Sequence, residues 1–413
     1  MMKPDSEFID TLFQGLDESA RNAIDRLVHE IVTARQSGKD VVVVTGSGPN
    51  VHEGVTTLLA ELISKDIVQG VSTSSAIVAH EMAGSLDRVK RVNGRTLGFD
   101  PKVLPKGEVF EVTVMDDETL DQVRREMIVD EKLIHNVLAL PGDVIIKAAG
   151  NMAYPIGLRT ERIALEVEAL AQTTGRPFEY IAGLGSDPRT MIGAAAAKNV
   201  PVLVSVPQLI GGGMVGLCIG DSTTLKRRSA LIAHMLARAG VIIESGVALT
   251  QEIHDGPFET YTGHGIWSAW EGIGRTYSLG GKTLARIDLD PNLAKVWQIE
   301  RSGSMVQESI DRGLPKTKTL KVPFRMEMSG FARLEGSIPI ICDLGVAWPI
   351  IAARTSELLK IPLDFMSFPQ ESEQGKRMRE WVVENVAILD RSRMRRAAAS
   401  ASRDVGPVKG GVS

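Results

Sequence analysis

Short runs of apolar, β-branched residues alternate along this chain with longer stretches of helical periodicity. Residues 5–37 carry apolar side chains at spacings of three and four, which predicts a helical N-terminal arm over residues 1–38. The run 41–44 consists of valines and is typical of a parallel strand that is covered on both faces. A glycine-rich turn at 45–50 and a helical stretch at 55–63 follow it. Strand, glycine turn and helix form the unit from which doubly wound sheets are built.

The same alternation continues through most of the chain. Further strands are predicted at 67–73, 142–150, 178–185, 200–206, 239–246, 283–290 and 338–345, with helices between most of them. Pro, Gly and Lys residues beside the segment VFEVTVM predict a β-hairpin or edge insertion over 94–115. We therefore expect an α/β fold with a doubly wound, mostly parallel sheet. Its core would cover 39–391, with an inserted α+β segment around 85–180.

Composition narrows the class of protein. The chain has 47 Lys and Arg residues against 51 Asp and Glu residues, and no basic block, so we expect no nucleic-acid partner. No apolar run is long enough to span a membrane, and the N-terminus lacks the pattern of a signal peptide. The two cysteines, Cys218 and Cys342, lie far apart in apolar surroundings, which indicates a reducing compartment. These features predict a cytoplasmic protein without a membrane partner.

The C-terminal segment 392–413 is rich in Ala, Ser, Gly and Arg and poor in bulky apolar residues. Such a composition cannot bury enough apolar surface to offset the entropy of ordering the chain. We predict a disordered tail over these residues.

Candidate chemistry begins in the turn that follows the valine strand. Glycines allow the backbone to approach a phosphate, and the next helix offers free N–H groups at its start. Gly46, Ser47, Gly48 and Asn50 are therefore candidate cofactor ligands. The spacing is not GxGxxG, so dinucleotide binding and a simple tight turn both remain open.

A second loop of small residues, Ser72–Ser75, stands at the end of the next predicted strand. Capping of the following helix explains one or two of these hydroxyl groups but not all four. Thr73, Ser74 and Ser75 are therefore further candidate cofactor ligands.

The third candidate lies at the end of the strand predicted at 283–290. Dinucleotide-binding folds use an acidic residue at a strand end to bind the adenosine ribose, a role that Asp288 could fill. Pro291 suits a first helical turn with Asp290 as its cap. Two interpretations remain open here: Asp288 binds a ribose, or the acidic pair only caps the helix through Asp290.

Histidines supply the acid–base candidates. His80 and Glu81 follow the small-residue loop directly, and His52 with Glu53 has a similar place after the first loop. His254 lies in the loop 251–272, whose glycines, aromatic residues and carboxylates predict an ordered functional segment. No set of His, Cys and Asp residues has the spacing of metal ligands, so no metal site is predicted.

Four stretches resemble known families in the expected order. They are GPNVHEGVTTLLAELISKDIVQGVSTSSAIVAHEM (48–82), KNVPVLVSVPQLIGGGMVG (198–216), KTLARIDLDPNLAKVWQIERSGS (282–304) and ICDLGVAWPIIAA (341–353). These stretches resemble the LOR/SDH-type domain of NAD-dependent ornithine cyclodeaminases, and also deoxyhypusine synthase. The resemblance implies a deoxyhypusine synthase-like NAD-binding fold, NAD in a deep cleft, and a homo-oligomer, either dimer or tetramer. It also adds Ser304, at the end of an Arg-x-Gly-Ser sequence, to the candidate cofactor ligands.

The chain departs from both families where the substrate would bind. The block PQLIGGG (207–213) has no carboxylate, although both families place carboxylates there to hold an ammonium group. The region 330–343, which matches the lysine-bearing segment of deoxyhypusine synthase, has no lysine. Hypusine formation is therefore disfavoured. An ornithine-type substrate would need its negative charge from elsewhere, such as Glu244, Glu252, Asp255 or Glu259.

The sequence favours an NAD-dependent enzyme that acts on an amino acid or related small amine through transient oxidation, as an ornithine cyclodeaminase does. His80, Glu81 and His254 are the acid–base candidates. A non-catalytic NAD-binding protein that kept the fold is the first alternative. A nucleotide-binding transferase that uses 251–272 as a lid is the second, and a deoxyhypusine synthase-like aminoalkyl transferase, disfavoured by the missing lysine, is the third.

Overall fold

The computed structural model describes residues 2–46, 48–246, 279–302, 305–315, 318–319, 321, 331 and 335–401. The strands in these residues are β1 (Asp40–Thr45), β2 (Gly70–Thr73), β3 (Leu86–Asn93), β4 (Val109–Thr113), β5 (Val144–Ala148), β6 (Val202–Val204), β7 (Ala239–Ser245), β8 (Thr283–Asp288) and β9 (Ser337–Ile341). The N-terminal helices are α1 (Ser6–Gln14), α2 (Glu18–Gln36), α3 (Pro49–His52), α4 (Val55–Ser64), α5 (Ser75–Met82), α6 (Asp117–Glu126), α7 (Glu131–Ala139), α8 (Ile156–Thr174), α9 (Phe178–Gly185) and α10 (Met191–Lys198). The later helices are α11 (Met214–Ser222), α12 (Leu225–Arg238), α13 (Asn292–Ser302), α14 (Met305–Asp311), α15 (Leu344–Leu359), α16 (Glu373–Asn385) and α17 (Arg391–Ala401). Within the described part of the chain, no helix has the length and apolar character needed to cross a bilayer.

The main sheet has six parallel strands in the order β6-β2-β1-β7-β8-β9. The chain builds outward from β1 to β2 and β6, and then returns to the other side of β1 for β7, β8 and β9. Val43 of β1 therefore has neighbours in both directions, Val71 of β2 and Ile243 of β7. This confirms the predicted α/β fold with a mostly parallel sheet, and it places the reversal of strand order between β1 and β7.

The valines of β1 show why the sheet is covered on both faces. Successive side chains of a strand point to opposite faces. Val41 and Val43 belong to a core that contains side chains of α2, α4 and α15. Val42 and Val44 belong to a second core with α12 and α13. Because both faces are buried, the strand is apolar throughout instead of alternating, and the N-terminal helix α2 is part of the main core.

A second sheet of three antiparallel strands, in the order β4-β3-β5, lies inside the segment where an α+β insertion is predicted. The hairpin consists of β3, which precedes the predicted segment 94–115, and β4, which lies inside it, with Val89 opposite Thr113. Its inner face packs against α7 through a small core of Val92, Val112, Ile134 and Val137.

Residues 178–185, predicted as a strand, form helix α9 instead. Phe178, Ile181 and Ala182 are buried along one face of this helix. A short apolar run does not distinguish a buried helix from a buried strand. Gly183 is needed for close packing, because a Cβ there would lie 2.2 Å from the carbonyl oxygen of Ile192 in α10.

Residues 392–401, predicted to be disordered, form most of helix α17. Met394 and Ala398 of this helix are buried in the main core. Arg391 and Arg395 form ion pairs with Glu166 of α8. Helix α17 is stable with few large apolar residues because it packs against the main core, which the rest of the chain forms. Residues 402–413 lie outside the described residues.

We expect Met394→Ala to lower the free energy of unfolding by about 2–5 kcal/mol, as for other buried methionines replaced by alanine. Urea unfolding followed by circular dichroism measures this change. Arg396→Ala, at an exposed position of the same helix, serves as the control and should change the free energy by less than about 0.5 kcal/mol. Equal stability of both variants would mean that α17 does not dock on the core in solution.

Candidate functional site

A cleft of about 660 Å³ lies beside the carboxyl ends of β1, β2 and β6. Its inner wall consists of Gly48 after β1, Ala76, Ala79 and His80 in α5, and Gly211–Gly213 after β6. The outer wall comes from 148–154, which follow β5 of the second sheet, and from the first turns of α8. Open α/β sheets bind ligands outside the carboxyl ends of their strands, where the strand order reverses. The cleft reaches this reversal only from the β1 side, at Gly48, and its volume is that of a small-molecule site.

The loop after β6 is held in place by Ser75. The Ser75 hydroxyl accepts a hydrogen bond from the backbone N–H of Gly212 at 2.8 Å and donates to the carbonyl oxygen of Gln208 at 2.9 Å. Any side chain at position 212 would collide, because a Cβ would lie 2.7 Å from the backbone of Ser75. Ser75 therefore builds the wall of the cleft, whereas its role as a cofactor ligand stays a prediction.

The other hydroxyl groups after β2 have different surroundings. Ser74 caps α5, since its side chain accepts a hydrogen bond from Ile77 N. Thr73 Oγ1 and Ser205 Oγ, which stand at the ends of neighbouring strands, are buried and make no hydrogen bond within the described residues.

The turn after β1 passes from Gly46 to Gly48, which lines the cleft with a φ of 61° and has nothing within 4 Å of its missing Cβ. Ser47 lies outside the described residues. The side chain of Asn50 is engaged by Ser245 at the end of β7: its amide donates to the Ser245 carbonyl at 3.1 Å, and its oxygen accepts from the Ser245 hydroxyl at 2.5 Å. Asn50 therefore joins the ends of the two strands between which the order reverses.

His80 is held in a single orientation. Its Nδ1 lies 2.8 Å from the carbonyl oxygen of Ala149. Since a carbonyl only accepts, Nδ1 carries the proton, and Nε2 is left with its lone pair. Burial lowers the pKa of His80, and the nearby Lys147 lowers that pKa further, against the hydrogen bond to Ala149. A neutral imidazole with a free Nε2 is suited to act as a general base in the cleft.

His52 lines the same cleft at the end of α3. Burial lowers the pKa of His52, and the positive charges of Arg379, His80 and Lys147 lower it further. The cleft is thus bordered by two neutral histidines with cationic groups near them.

Glu81, the second catalytic candidate, is fully buried and is not among the residues that line the cleft. Its carboxylate accepts the backbone N–H groups of Met191 and Ile192, at 2.8 and 2.9 Å, where α10 begins. Desolvation raises the pKa of Glu81 to about 8. The observed role of this side chain is to anchor the start of α10.

Asp288 ends β8 and is buried, with one oxygen 3.4 Å from Nε of Arg286. It also accepts the N–H of Asp290, whose own carboxylate accepts the N–H of Asn292 at 2.9 Å and so caps α13. Neither acid is among the residues that line the cleft. His254, Ser304 and the whole of 251–272 lie outside the described residues.

Several parts of the site had no signal in the sequence. The outer wall at 148–154 comes from a different sheet, and Arg379 comes from α16. The family resemblance put the PQLIGGG block where a substrate would bind, and Gly211–Gly213 of that block line the cleft. Within the described segments, no group of three His, Cys, Asp or Glu side chains is arranged to hold a metal ion.

Glu53 lies behind His52, against the start of α15. Its carboxylate accepts the N–H of Gln370 at 2.8 Å, and Gly345 is so close that a Cβ there would lie 2.3 Å from Glu53 Oε2. Desolvation raises the pKa of Glu53 from 4.5 to about 7, and the negative charges of Asp343 and Glu371 add to this increase. The carboxyl group therefore titrates near neutral pH.

The chain matches no protein-family model and no curated protein. Among solved structures it has low similarity to ArgZ, an arginine dihydrolase from the ornithine–ammonia cycle in Cyanobacteria, with 11% identity and a TM-score of 0.37 over 81% of this chain and 32% of ArgZ. AgrE in a ternary complex with ornithine and NAD+ is 12% identical, with a TM-score of 0.40 over 84% of this chain and 34% of AgrE. A LOR/SDH protein from Methanococcus maripaludis S2 is 10% identical, with a TM-score of 0.39 over 83% of this chain and 71% of that protein. The chain spans about a third of the length of ArgZ and AgrE, and their activities are not transferred to it.

Because the pKa of Glu53 is higher in the folded protein than its ordinary value, the folded state holds the proton more tightly than the unfolded state. The stabilisation from the protonated group is complete below pH 4.5 and is lost as the pH rises towards 7. We therefore expect the free energy of unfolding of the wild type to fall, relative to Glu53→Gln, between about pH 5 and pH 8. Urea unfolding at several pH values measures this difference. The exposed Glu357→Gln is the control and should follow the wild type; a constant difference between wild type and Glu53→Gln at all pH values would contradict the assignment.

Proposed function

We propose that this chain is an NAD-dependent enzyme that oxidises a small, amino-acid-sized molecule in the cleft beside β1, β2 and β6. The observation that carries the proposal is His80, a neutral imidazole with its Nδ1 fixed on Ala149, which lines a cleft at the carboxyl edge of the parallel sheet. An oxidation of this kind needs a base in the site as well as an acceptor for the hydride.

The residues present fit a dinucleotide. The strand order reverses between β1 and β7, and dinucleotides bind at such a point. Gly48 has open space around its missing Cβ, so backbone and phosphate can approach closely. Ala76, Ala79 and Gly211–Gly213 leave the inner wall free of bulk. The resemblance of the sequence to LOR/SDH-type and deoxyhypusine synthase sequences supports NAD as the dinucleotide and a homo-oligomer, and the two separate cysteines support a cytoplasmic location.

When bound, NAD supplies the acceptor for a hydride. In this proposal His80 Nε2 takes the proton that leaves the substrate, and the carbonyl oxygen of Ala149 stabilises the imidazolium that results. The walls at Gly211–Gly213 and 148–154 lie on two sides of the place where the substrate would bind. Residues of 251–272, including His254, could add to the site, as the sequence predicts.

A non-catalytic NAD-binding protein is the second candidate. It is favoured by one observation: Glu161 is the only carboxylate among the residues found to line the cleft. The families that this sequence resembles place carboxylates in their site to hold a cationic amine. This cleft offers such a substrate only Glu161. An aminoalkyl transfer of the deoxyhypusine type is disfavoured for the same reason, since Gly211–Gly213 occupy the matching block.

Isothermal titration calorimetry with NAD, NADP and FAD tests the cofactor. We expect NAD to bind the wild-type protein, and Ala79→Phe, which fills the inner wall of the cleft, to weaken binding by roughly tenfold or more, a difference of about 1.4 kcal/mol. Ala169→Phe, at an exposed site on α8, is the matched control and should bind as the wild type does. No heat and no shift of the melting temperature with NAD would overturn the cofactor assignment. Equal affinities for both variants would place the dinucleotide elsewhere.

A further inference from the structure

The two histidines of the cleft have opposite hydrogen-bonding patterns. His80 uses Nδ1 to donate to a backbone carbonyl. His52 Nδ1 instead faces a guanidinium, since it lies 3.5 Å from Nη2 of Arg379. A guanidinium only donates, so Nδ1 of His52 carries the lone pair and Nε2 carries the proton. The cleft therefore holds one imidazole that offers an acceptor and one that offers a donor.

Neighbouring elements keep both rings in these states. Nη2 of Arg379 also donates to the carbonyl oxygen of Ile146 in β5, which fixes the guanidinium beside His52. Lys147, the next residue of β5, is paired with Glu111 at 2.6 Å. Neither His52 nor His80 has a hydrogen bond on Nε2 within the described residues, so both nitrogens are available to a ligand. The two rings are close enough that a charge on His80 lowers the pKa of His52.

We propose that His52 is a substrate-binding residue, and that His52 and His80 together hold one hydroxyl group of the substrate. His52 Nε2–H donates to the hydroxyl oxygen, and the hydroxyl proton is donated to His80 Nε2. This inference rests on the proposed function, and it names the group on which that function acts.

The pairing selects for a hydroxyl group. A hydroxyl both accepts and donates through one oxygen, whereas a carboxylate only accepts and an ammonium only donates. The substrate class is therefore a small secondary alcohol, in preference to an amine that would place its nitrogen at this point.

The reaction balances with NAD as the oxidant. The O–H bond breaks and its proton goes to His80 Nε2. The C–H bond of the same carbon breaks, its hydride goes to the nicotinamide ring, and the carbon–oxygen bond becomes a carbonyl. His52 stays protonated on Nε2 throughout and stabilises the negative charge that develops on the oxygen.

The tautomers can be measured without substrate. In the full-length protein with 15N-labelled histidine, long-range proton–nitrogen correlation spectra distinguish rings protonated on Nδ1 from rings protonated on Nε2. We expect Nδ1–H for His80 and Nε2–H for His52, with each ring identified by the loss of its signals in His80→Gln and His52→Leu. The exposed His135→Gln is the control and should change neither ring. The same tautomer for both histidines would overturn the inference.

The substrate class is tested by NADH formation from pairs of small secondary alcohols, including 2-hydroxy acids, and the matching amines. We expect kcat/KM for the alcohols to exceed that for the amines by roughly tenfold or more. His52→Gln retains an N–H donor near the place of Nε2 and should stay within about tenfold of the wild type. His52→Leu should lose about 10- to 100-fold, the usual value of a hydrogen bond to a charged group. His80→Gln should lose about 10²–10⁴-fold, as for a general base.

The outcomes separate this inference from the proposed function. If NAD binds but the amines react faster, or if no alcohol of the panel is oxidised, the substrate class is wrong while the cofactor assignment stands. If His52→Gln and His52→Leu lose activity equally and both still bind NAD and melt as the wild type does, His52 does not act as a donor. Absence of NAD binding in the wild type would remove the proposed function itself, whichever tautomers the spectra show.

Discussion

Three hydrogen bonds meet at Ser245, at the carboxyl end of β7. Two of them join it to the side chain of Asn50 in the turn after β1, and the third comes from Nε1 of Trp348 in α15, at 2.8 Å. All three residues are nearly inaccessible to solvent, between 0% and 2% exposed. A hydrogen bond in such surroundings is costly to break, because each group would be left without a partner. The junction therefore fixes the turn that carries Gly48 and, with it, one wall of the cleft.

Buried glutamate side chains also hold the strands and helices around the cleft in place. Glu179 accepts the N–H of Val204 at 2.7 Å and pairs with Arg228 at 2.5 Å, with both side chains at most 1% exposed. Glu81 anchors α10 in the same manner, through backbone N–H groups. Removing one partner of a buried pair costs more than the pair itself contributes, because an uncompensated charge is left behind. Glu81 and Glu179 thus position strands and helices, whereas His52 and His80 line the cleft.

The sequence predicted the sheet well where its strands are made of β-branched runs. The valines of β1 were assigned correctly, because a continuous β-branched run is what a strand buried on both faces requires. Helix α9 was predicted as a strand because a short apolar run does not distinguish a buried helix from a buried strand, and Gly183 allows this helix to pack closely on α10. Helix α17 was missed because its stability comes from docking and not from its own composition.

The candidate site was predictable only in part, for a similar reason. The loops at 45–50 and 72–75 both reach the sheet edge at the cleft, since carboxyl ends of parallel strands meet at one edge. Arg379 is separated from His52 by more than three hundred residues, and only tertiary packing brings them together. The tautomer of a histidine depends on hydrogen bonds in the folded protein, so it could not be predicted from the sequence.

The two walls of the cleft belong to different sheets. The inner wall is tied to the register of the six parallel strands, where a change of shape would disturb the core. The outer wall, at 148–154, is carried by the three antiparallel strands and their own small cores. Ala148, Ala149 and Ala153 of that wall are buried, and a Cβ on Gly150 would lie 2.9 Å from the Cβ of Ala83, so both walls restrict which side chains the cleft can accept.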